Sequence, residues 1–217
     1  MIKYVPLLIG FCAVAEIKVA SGSKEGLYHT LATEFCREQK EPCTVIETSG
    51  SRENIELLNR KLINYAIIQD NLGLENMIVV KKFDIQERFN IFYKGNAGSF
   101  QDISRKFYTV DKNSGTYALI YAIHTVFELP IRQQENLSIL DKQSQNPSFC
   151  NRDTQVSFYN ISVDSLPYKK MQIEGFQCGI KEYQFTKEEV YTLQQKLPSI
   201  QIENRYIVNG VVLVRKV

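Results

Sequence analysis

The sequence has no strong excess of charge of either sign, and its only long apolar run lies at its start. Lysine and arginine number 26, and aspartate and glutamate number 24, in a chain of 217 residues. A protein that neutralises nucleic-acid phosphates needs a basic face, and this balance supplies no excess to build one. Nucleic acid is therefore not an expected partner. No later apolar run approaches the roughly 20 residues that cross a bilayer, so we expect a soluble mature product.

Residue patterns typical of catalysis are also scarce. The two histidines, His29 and His124, lie outside any recognisable nucleophile or metal motif. We expect His29 to be exposed or beside a cleft, and His124 to be structural. The glycine-containing loop that starts at Gly22 lacks the Gly-Lys-Ser/Thr ending of a phosphate loop. The sequence therefore indicates no catalytic residues, no cofactor and no metal site.

The first fifteen residues have the three parts of an export signal. Lys3 supplies a positive start, residues 5–14 form a short apolar run, and Ala13-Val14-Ala15 places small residues before Glu16. We expect residues 1–15 to be a signal peptide that is cleaved near Ala15, and the mature protein to be periplasmic. A buried first strand is the alternative reading of this stretch.

Four cysteines remain after such a leader: Cys36, Cys43, Cys150 and Cys178. An even number of cysteines in an exported chain favours disulfides. Cys36 lies late in a predicted helix and Cys43 begins the next strand, so a local bridge is plausible, which leaves Cys150 to pair with Cys178. Four buried free thiols are the alternative, and zinc is disfavoured because these spacings lack a close pair of ligands.

The first third of the chain has the pattern of a β-α-β-α-β unit. A β-branched run at 17–21 turns at a glycine into a segment with helical spacing of apolar residues. Residues 43–47 predict a second strand, Ser49 or Ser51 can cap the next helix, and residues 65–69 predict a third strand. Parallel strands joined by helices imply a right-handed crossover and a sheet covered on both faces.

The rest of the chain predicts a second α/β region. Residues 77–83 and 89–93 are extended runs, and the glycine-containing stretch 94–98 is a candidate hinge. Capping boxes predict helix starts at Ser99 and Thr186. Further strands are predicted at 107–110, 156–160 and 206–214, with a helix that Ser114 opens and Pro130 ends, whereas 133–153 is polar and unassigned.

Hydroxyl, amide and glycine residues gather in the loops where open α/β sheets place their ligands. Glycine permits close approach of a ligand, and helix N-termini offer backbone N–H groups to an anion. Support of its own loop is an equal alternative for Asn54, and Gln69 can also be a surface strand end. Tyr159 and Asn160 are candidates for an opposite wall. The predicted ligand-binding residues are Ser23, Gly26, Tyr28, Ser49, Gly50, Ser51, Asn54, Gln69, Ser114, Gly115 and Thr116.

These loops resemble motifs of the TAXI-type solute receptors of TRAP transporters. Gly22-Ser23-Lys24-Glu25-Gly26-Leu27-Tyr28 is similar to the family's G-S-x-x-G-x-Y, and residues 48–54 to its T-x-G-S-x-E-N. The strand that ends at Gln69-Asp70 resembles one that ends in Q-x-D or Q-S-D, and Ser114-Gly115-Thr116 resembles an S-G-T element. The family carries glycine and proline before that element, where this chain has Asp111-Lys112-Asn113. The match is good over residues 17–70 and weakens after about residue 130.

The resemblance implies an α/β, two-lobed type 2 periplasmic-binding-protein-like fold with mixed sheets flanked by helices. Lobe 1 would comprise residues 16–93 and about 200–217, and lobe 2 residues 94–199. It also implies an extracytoplasmic receptor that binds a small organic acid, or an amino acid such as glutamate or glutamine, between the lobes. The receptor would deliver this solute to a TRAP-type membrane permease. An enzyme on the same fold and a degenerate receptor with a surface or signalling role remain alternatives.

Overall fold

The computed structural model describes residues 16–106, 110–130 and 156–217. The predicted leader, Cys150 and most of the strand predicted at 107–110 lie outside the described residues. The elements in chain order are β1 (Ile17–Ala20), α1 (Leu27–Arg37), β2 (Cys43–Ile46), α2 (Ser51–Asn59), β3 (Tyr65–Gln69), β4 (Met77–Lys94), α3 (Phe100–Ser104), α4 (Gly115–Val126), β5 (Val156–Ile161), α5 (Leu166–Gln177), β6 (Ile180–Glu182), α6 (Lys187–Lys196), β7 (Gln201–Glu203) and β8 (Tyr206–Lys216).

All of these strands belong to one mixed sheet. Their order is β2-β1-β3-β8-β4-β5, with β6 paired to β4 and β7 paired to β8. β1 is parallel to both β2 and β3, whereas β8 runs antiparallel to β3 and β4. The predicted β-α-β-α-β unit and the mixed α/β class of the fold are therefore confirmed.

The two helices of this unit cover opposite faces of the sheet. Val19 and Ile67 lie in an apolar cluster with Phe35 of α1. Their chain neighbours Ala20 and Ile68 lie in a separate cluster with helix α2. Successive side chains of a strand point to opposite faces, so one strand supplies both clusters, and the predicted burial of both faces is confirmed.

The long strand β4 pairs with different partners along its length. Its first part pairs with β8 as far as Arg88, and its last part pairs with β5 from Arg88 to Tyr93. The extended runs predicted at 77–83 and 89–93 are thus one strand, and their separation was wrong. The register shifts between Phe83 and Gln86, so the polar residues between the runs continue the strand through an irregularity.

A larger apolar cluster surrounds the last part of β4. Ile91 packs there with Phe100 of α3, Ile123 of α4 and Leu193 of α6. The predicted capping boxes at the starts of α3 and α6 are both present. The side chain of Glu189 closes the second box and also links the two helices, because its Oε1 accepts a hydrogen bond from Phe100 N at 2.6 Å.

Three elements have no counterpart in the sequence prediction: α5, β6 and β7. Leu166 and Ile173 of α5 are 65% and 63% exposed, while Tyr168 is buried against Phe92. The helix therefore lacks the continuous apolar stripe by which a helix is recognised in a sequence. β6 and β7 contain three residues each, which is too short for an alternating pattern.

A disulfide joins the end of α1 to the start of β2. The Cα atoms of Cys36 and Cys43 lie 5.3 Å apart, so the predicted local bridge is confirmed. Cys178 is also disulfide-bonded, but its predicted pairing with Cys150 falls outside the described residues and stays a prediction. Within the described ranges, no helix has the length and apolar character that a bilayer crossing requires.

Candidate functional site

The side chain of Asn54, in the first turn of α2, forms hydrogen bonds with β3 and with the loops that follow β1 and β2. Its side chain is completely buried. Nδ2 donates to Ile67 O at 2.7 Å and also to Ser21 O, and Oδ1 accepts from Thr48 Oγ1 at 2.6 Å. These contacts use Asn54 to support the loops, which is one of the two roles that its position predicted.

The loop before α2 satisfies its own backbone amides. Gly50, with φ 125°, is the N-cap residue, and no side chain caps the helix, so the prediction of a serine cap was wrong. Gly50 N donates to Thr48 Oγ1 at 3.2 Å, and Ser49 N donates to Glu53 Oε2 at 2.7 Å. The backbone N–H of Glu53 donates to Asn113 O at 3.1 Å. These amides, predicted to point at an anion, are already paired within the protein.

The N-termini of α2 and α4 lie against each other. Besides the contact of Glu53 with Asn113, Arg52 Nη1 donates to Lys112 O at 3.0 Å. The guanidinium carbon of Arg52 also lies 5.6 Å from the ring centre of Tyr117. A Cβ on Gly50 would lie 3.8 Å from Ser114 Cα. Loops that are more than fifty residues apart in the chain therefore form one surface.

Gln69, at the end of β3, lies directly behind this contact. It is 4% exposed, and its backbone N–H donates to Ser51 Oγ at 3.2 Å. The amide packs so closely on α4 that a Cβ on Gly115 would lie 2.5 Å from Gln69 Oε1. Gln69 Oε1 itself is buried without a hydrogen-bond partner. A buried acceptor without a partner is costly, which marks this position as unusual.

Five side chains form a hydrogen-bonded group that we call the central polar cluster: Tyr28, Gln69, Glu87, Asn160 and Asn209. Glu87 Oε2 accepts from Tyr28 OH at 2.9 Å, from Asn160 Nδ2 at 3.2 Å and from Asn209 Nδ2 at 3.2 Å. Asn160 Nδ2 also donates to Asn209 Oδ1 at 2.7 Å. The Tyr28 hydroxyl in turn faces the side chains of Ser51 and Gln69. The cluster thus connects α1, β3, β4, β5 and β8.

Burial dominates the electrostatics of this cluster. Desolvation raises the pKa of Glu87 to about 7, against the smaller lowering effects of its bonds with Tyr28 and Asn209, and the Asp70 carboxylate raises it further. Burial also raises the pKa of Tyr28 well above its ordinary value, and the neighbouring Glu87 adds to this effect. The cluster is therefore an acidic, weakly solvated site that is short of positive charge.

The central polar cluster does not include the other predicted residues. Ser23 is exposed and forms a tight turn with Gly26, whose N–H donates to Ser23 O at 2.8 Å. Ser114 Oγ is the N-cap acceptor of α4 and takes a hydrogen bond from Tyr117 N at 3.1 Å. Thr116 is half-buried in the first turn of the same helix. The structure thus brings Tyr28, Gly50, Ser51, Gln69, Ser114 and Gly115 together, whereas the Ser23 side chain is exposed.

Glu87 and Asn209 were not among the predicted site residues. Glu87 lies in a polar stretch of β4 that resembles no motif, and its partners come from distant parts of the chain. Asn209 offers a weak signal, because it interrupts an otherwise apolar β run and is 1% exposed. A single polar residue inside a buried strand indicates a hydrogen-bonded role. Asn160 was considered as a candidate for the opposite wall, and the structure places it in the cluster.

His124, a buried histidine of the core, is not part of this site. His124 is buried in α4, with its ring edge-on to Phe100 at 5.4 Å between centroids, and burial lowers its pKa. Across residues 16–106, 110–130 and 156–217, no group of three or more His, Cys, Asp or Glu residues could hold a metal ion.

Comparisons with known proteins identify the fold. No protein-family model matches the sequence, and no curated protein matches it. Among solved structures, the cofactor-binding domain of the Cbl transcriptional regulator matches with a TM-score of 0.51 and 9% identity, covering 93% of this chain and 80% of that one. The effector-binding domain of QuiR in complex with shikimate matches with a TM-score of 0.50 and 10% identity over 93% and 87% of the two chains. YhfZ from Shigella flexneri gives 0.50 and 11% over 93% and 78%.

A further match is the CA3427 gene product of Candida albicans, described as having the generic periplasmic binding protein fold. Its TM-score is 0.48 at 13% identity; the match covers 93% of this chain, and this chain spans 63% of that protein's length. Identities this low speak for the fold alone, and none of these matches names a TRAP transporter. The predicted α/β fold, a mixed sheet flanked by helices, is thus shared with the cofactor-binding domain of Cbl and the effector-binding domain of QuiR.

Proposed function

We propose that this chain is an extracytoplasmic solute-binding receptor of a TRAP-type (TAXI) transporter. Its ligand is a small organic acid or an amino acid, which binds at the central polar cluster beside β4 and β8. Its partner is a membrane permease. The transport role and the class of solute rest on the sequence resemblance over residues 17–70. The export signal that the sequence predicts at residues 1–15 supports the proposal of a periplasmic location.

The single observation that carries a binding role is the central polar cluster. Glu87 is 5% exposed and Asn209 is 1% exposed, and polar groups buried to this degree cost free energy unless they are fully paired. Gln69 Oε1 and Asn160 Oδ1 are buried without hydrogen-bond partners. A solute that donates hydrogen bonds to these two oxygens would offset this cost. Such a solute would have to reach the central polar cluster, where five elements meet.

The arrangement also suits a receptor that closes on its ligand. Gln69 ends β3 and Ser51 begins α2, in the first β-α-β-α-β unit. Gly115 and Asn160 belong to α4 and β5, which come later in the chain. A ligand that contacts both groups is bound more tightly when the N-termini of α2 and α4 lie together. Only such a difference in affinity shifts an equilibrium between open and closed forms.

The test is a thermal-shift screen of the mature protein, residues 16–217, against amino acids, monocarboxylates and dicarboxylates. A receptor is stabilised by a subset of these compounds and leaves them chemically unchanged after prolonged incubation. Consumption of a stabilising compound would instead favour an enzyme on this fold. A flat response across the whole screen would overturn the receptor function.

The variant Thr116→Ala tests whether the ligand contacts the start of α4. Its hydroxyl lies in the first turn of that helix, half-buried and close to Gly115. Loss of one hydrogen bond to the solute should weaken binding roughly fivefold. Thr125→Ala is the matched control on the last turn of α4, where the threonine hydroxyl donates to Tyr121 O at 2.9 Å, and its affinity should equal that of the unchanged protein.

A further inference from the structure

We propose that a second ligand site lies at the opposite end of the sheet from the candidate functional site, and that it binds a small amphipathic anion. The site is a cavity of about 320 Å³ beside the start of β3. Its ligand is a carboxylate on a short apolar chain, and Lys61 and Arg215 bind the charged end. This inference goes beyond the proposed receptor function and does not depend on it.

The direction of the strands separates this cavity from the candidate functional site. β1 and β3 are parallel and end at Ala20 and Gln69, beside the loops of that site. The cavity lies at the starts of the same strands, where Ile17 and Tyr65 line it. β3 has five residues, and a strand of that length spans roughly 15 Å. The two places are therefore distinct.

One wall of the cavity is apolar. Leu58 and Ile63 are 1% and 8% exposed and belong to the apolar cluster with α2. Ile17 and Tyr65 are half-buried and pack against the apolar cluster with α1. The cavity thus adjoins both clusters that cover this part of the sheet. An apolar chain that enters it is removed from water, which is favourable.

The other wall is cationic. Among the described residues that line the cavity, Lys61, Arg215 and Lys216 are basic and none is acidic. Lys216 Nζ donates to Asn59 O at 3.1 Å, at the last residue of α2. Within the described part of the chain, the exposed side chains of Lys61 and Arg215 form no hydrogen bond or ion pair. Two cations beside one cavity favour an anionic ligand.

The acidic side chains of the neighbouring elements have cationic partners of their own. Glu16 Oε2 lies 3.9 Å from Lys18 Nζ, and Glu56 Oε1 lies 3.6 Å from Arg60 Nη1. Asn64, which also lines the cavity, accepts a hydrogen bond from Lys18 N at 2.8 Å through Oδ1. The Nδ2 donor of this amide remains for a ligand.

Lys61 lies beside the cavity in a backbone conformation that favours glycine. Its φ is 58°, in the left-handed region. Lys61 N donates to Leu58 O at 3.0 Å, and Leu62 N donates to Leu57 O at 3.0 Å. This pair of bonds ends a helix in the motif whose left-handed residue is usually glycine. A lysine there indicates a use for its side chain, either with the helix dipole or with a ligand.

An amphipathic carboxylate fits both walls. Its oxygens accept hydrogen bonds from lysine and arginine, and such charge-assisted bonds are stronger than neutral ones. Its chain covers the apolar wall formed by Leu58 and Ile63. An amine on the same chain would meet two like charges, and a neutral amide would form no ion pair. The volume of the cavity lies near the lower end of the range for small-molecule sites.

Ligands with one chain and different polar ends provide the experiment. Calorimetry compares octanoate, octanamide and octylamine, and acetate tests the need for the chain. The protein is produced from the full chain, so that any leader is removed as it is in the cell. The variants are Arg215→Gln and Lys61→Gly, and Arg105→Gln, at the exposed residue that ends α3, is the matched control. Glycine suits the left-handed conformation, so we expect Lys61→Gly to fold stably, which urea unfolding verifies.

We expect octanoate to bind roughly tenfold more tightly than octanamide or acetate, and octylamine not to bind. Arg215→Gln and Lys61→Gly should each lower the affinity for octanoate about tenfold, and Arg105→Gln should leave it unchanged. A destabilised Lys61→Gly protein with full affinity for octanoate would assign Lys61 to the helix dipole and overturn its role in the site.

Three results would overturn the site itself. They are the absence of octanoate binding, equal affinity for octanoate and acetate, and octanoate binding that Arg215→Gln leaves unchanged. Octanoate binding that only Thr116→Ala weakens would place this ligand in the candidate functional site instead. The receptor function is tested separately by the thermal-shift screen of amino acids and organic acids, so either proposal can fail while the other stands.

Discussion

Glu87 is buried in β4 with three hydrogen bonds on one oxygen, and its pKa of about 7 lies above the ordinary value of 4.5 because burial penalises its charge. The raised pKa has a direct consequence for folding. Between pH 4.5 and about 7, the folded protein retains a proton that the unfolded chain has already lost. The contribution of Glu87 to the free energy of unfolding therefore decreases as pH rises through this window and is constant above it.

The variant Glu87→Gln should abolish this pH dependence. At pH 8 we expect the empty variant to be more stable than the unchanged protein by on the order of 2 kcal/mol, and at pH 4 by almost nothing. Urea unfolding at the two pH values measures the difference. Glu56→Gln, whose side chain is 65% exposed, should show no comparable change. A Glu87→Gln protein that is less stable than the unchanged protein at pH 8 would contradict the burial of an unneutralised charge.

At the scale of single residues, the sequence predicted part of the site but not Glu87, which lies at its centre. Gln69 and Ser51 were accessible to prediction because strand-to-helix loops of an α/β unit converge at one edge of the sheet. Glu87 was not, since its importance arises only when β5 and β8, more than seventy residues further along the chain, place Asn160 and Asn209 beside it. Pairing at that distance in sequence leaves no local signature.

The disulfide is the covalent link between two elements, α1 and β2. Replacing both Cys36 and Cys43 by serine opens a loop of seven residues in sequence separation. Loop-closure entropy predicts a loss of about 2–3 kcal/mol in the free energy of unfolding. Chemical denaturation with and without a reducing agent measures this loss. Reducing agent should destabilise the unchanged protein but should not shift the double variant by the same amount.

Elements with strong local patterns were predicted, and elements defined by their partners were not. β1, α1, β2, α2 and β3 follow from alternating β-branched runs and helical spacing, and the boxes at Ser99 and Thr186 fixed two helix starts. β4 was divided in two because residues 84–88 are mostly polar. They remain in a strand because β8 supplies a hydrogen-bonded neighbour on that side.

On the scale of the whole molecule, Gly115 sets how closely α4 approaches the end of β3. A Cβ there would lie 2.5 Å from Gln69 Oε1 and 2.7 Å from Gln69 Cδ. We expect Gly115→Ala to displace Gln69, to lower the free energy of unfolding by about 1–3 kcal/mol, and to weaken solute binding.

Gly98→Ala is the matched control for this change. A Cβ on Gly98 would lie 3.7 Å from Asp102 Oδ2, which is ordinary contact. Denaturation curves and calorimetry of both variants make the comparison. If Gly115→Ala bound solute and unfolded like Gly98→Ala, the contact between Gln69 and α4 would have no role in closure.

The division of the chain into lobe 1 (residues 16–93 and about 200–217) and lobe 2 (residues 94–199) stays a prediction. The sequence predicted that loops from distant segments meet, and the contact of Gly50 with Ser114 agrees with that expectation. It did not predict that amides of the loop before α2 would be paired within the protein, with Thr48 Oγ1, Glu53 Oε2 and Asn113 O.

The place of β8 has a consequence for biosynthesis. This strand follows β1 to β7 in the chain, yet it lies between β3 and β4 in the sheet. A ribosome thus finishes the flanking strands before it delivers the one that joins them, and until then both neighbours present open edges. Such a nascent chain cannot complete its native sheet until its last strand has been synthesised.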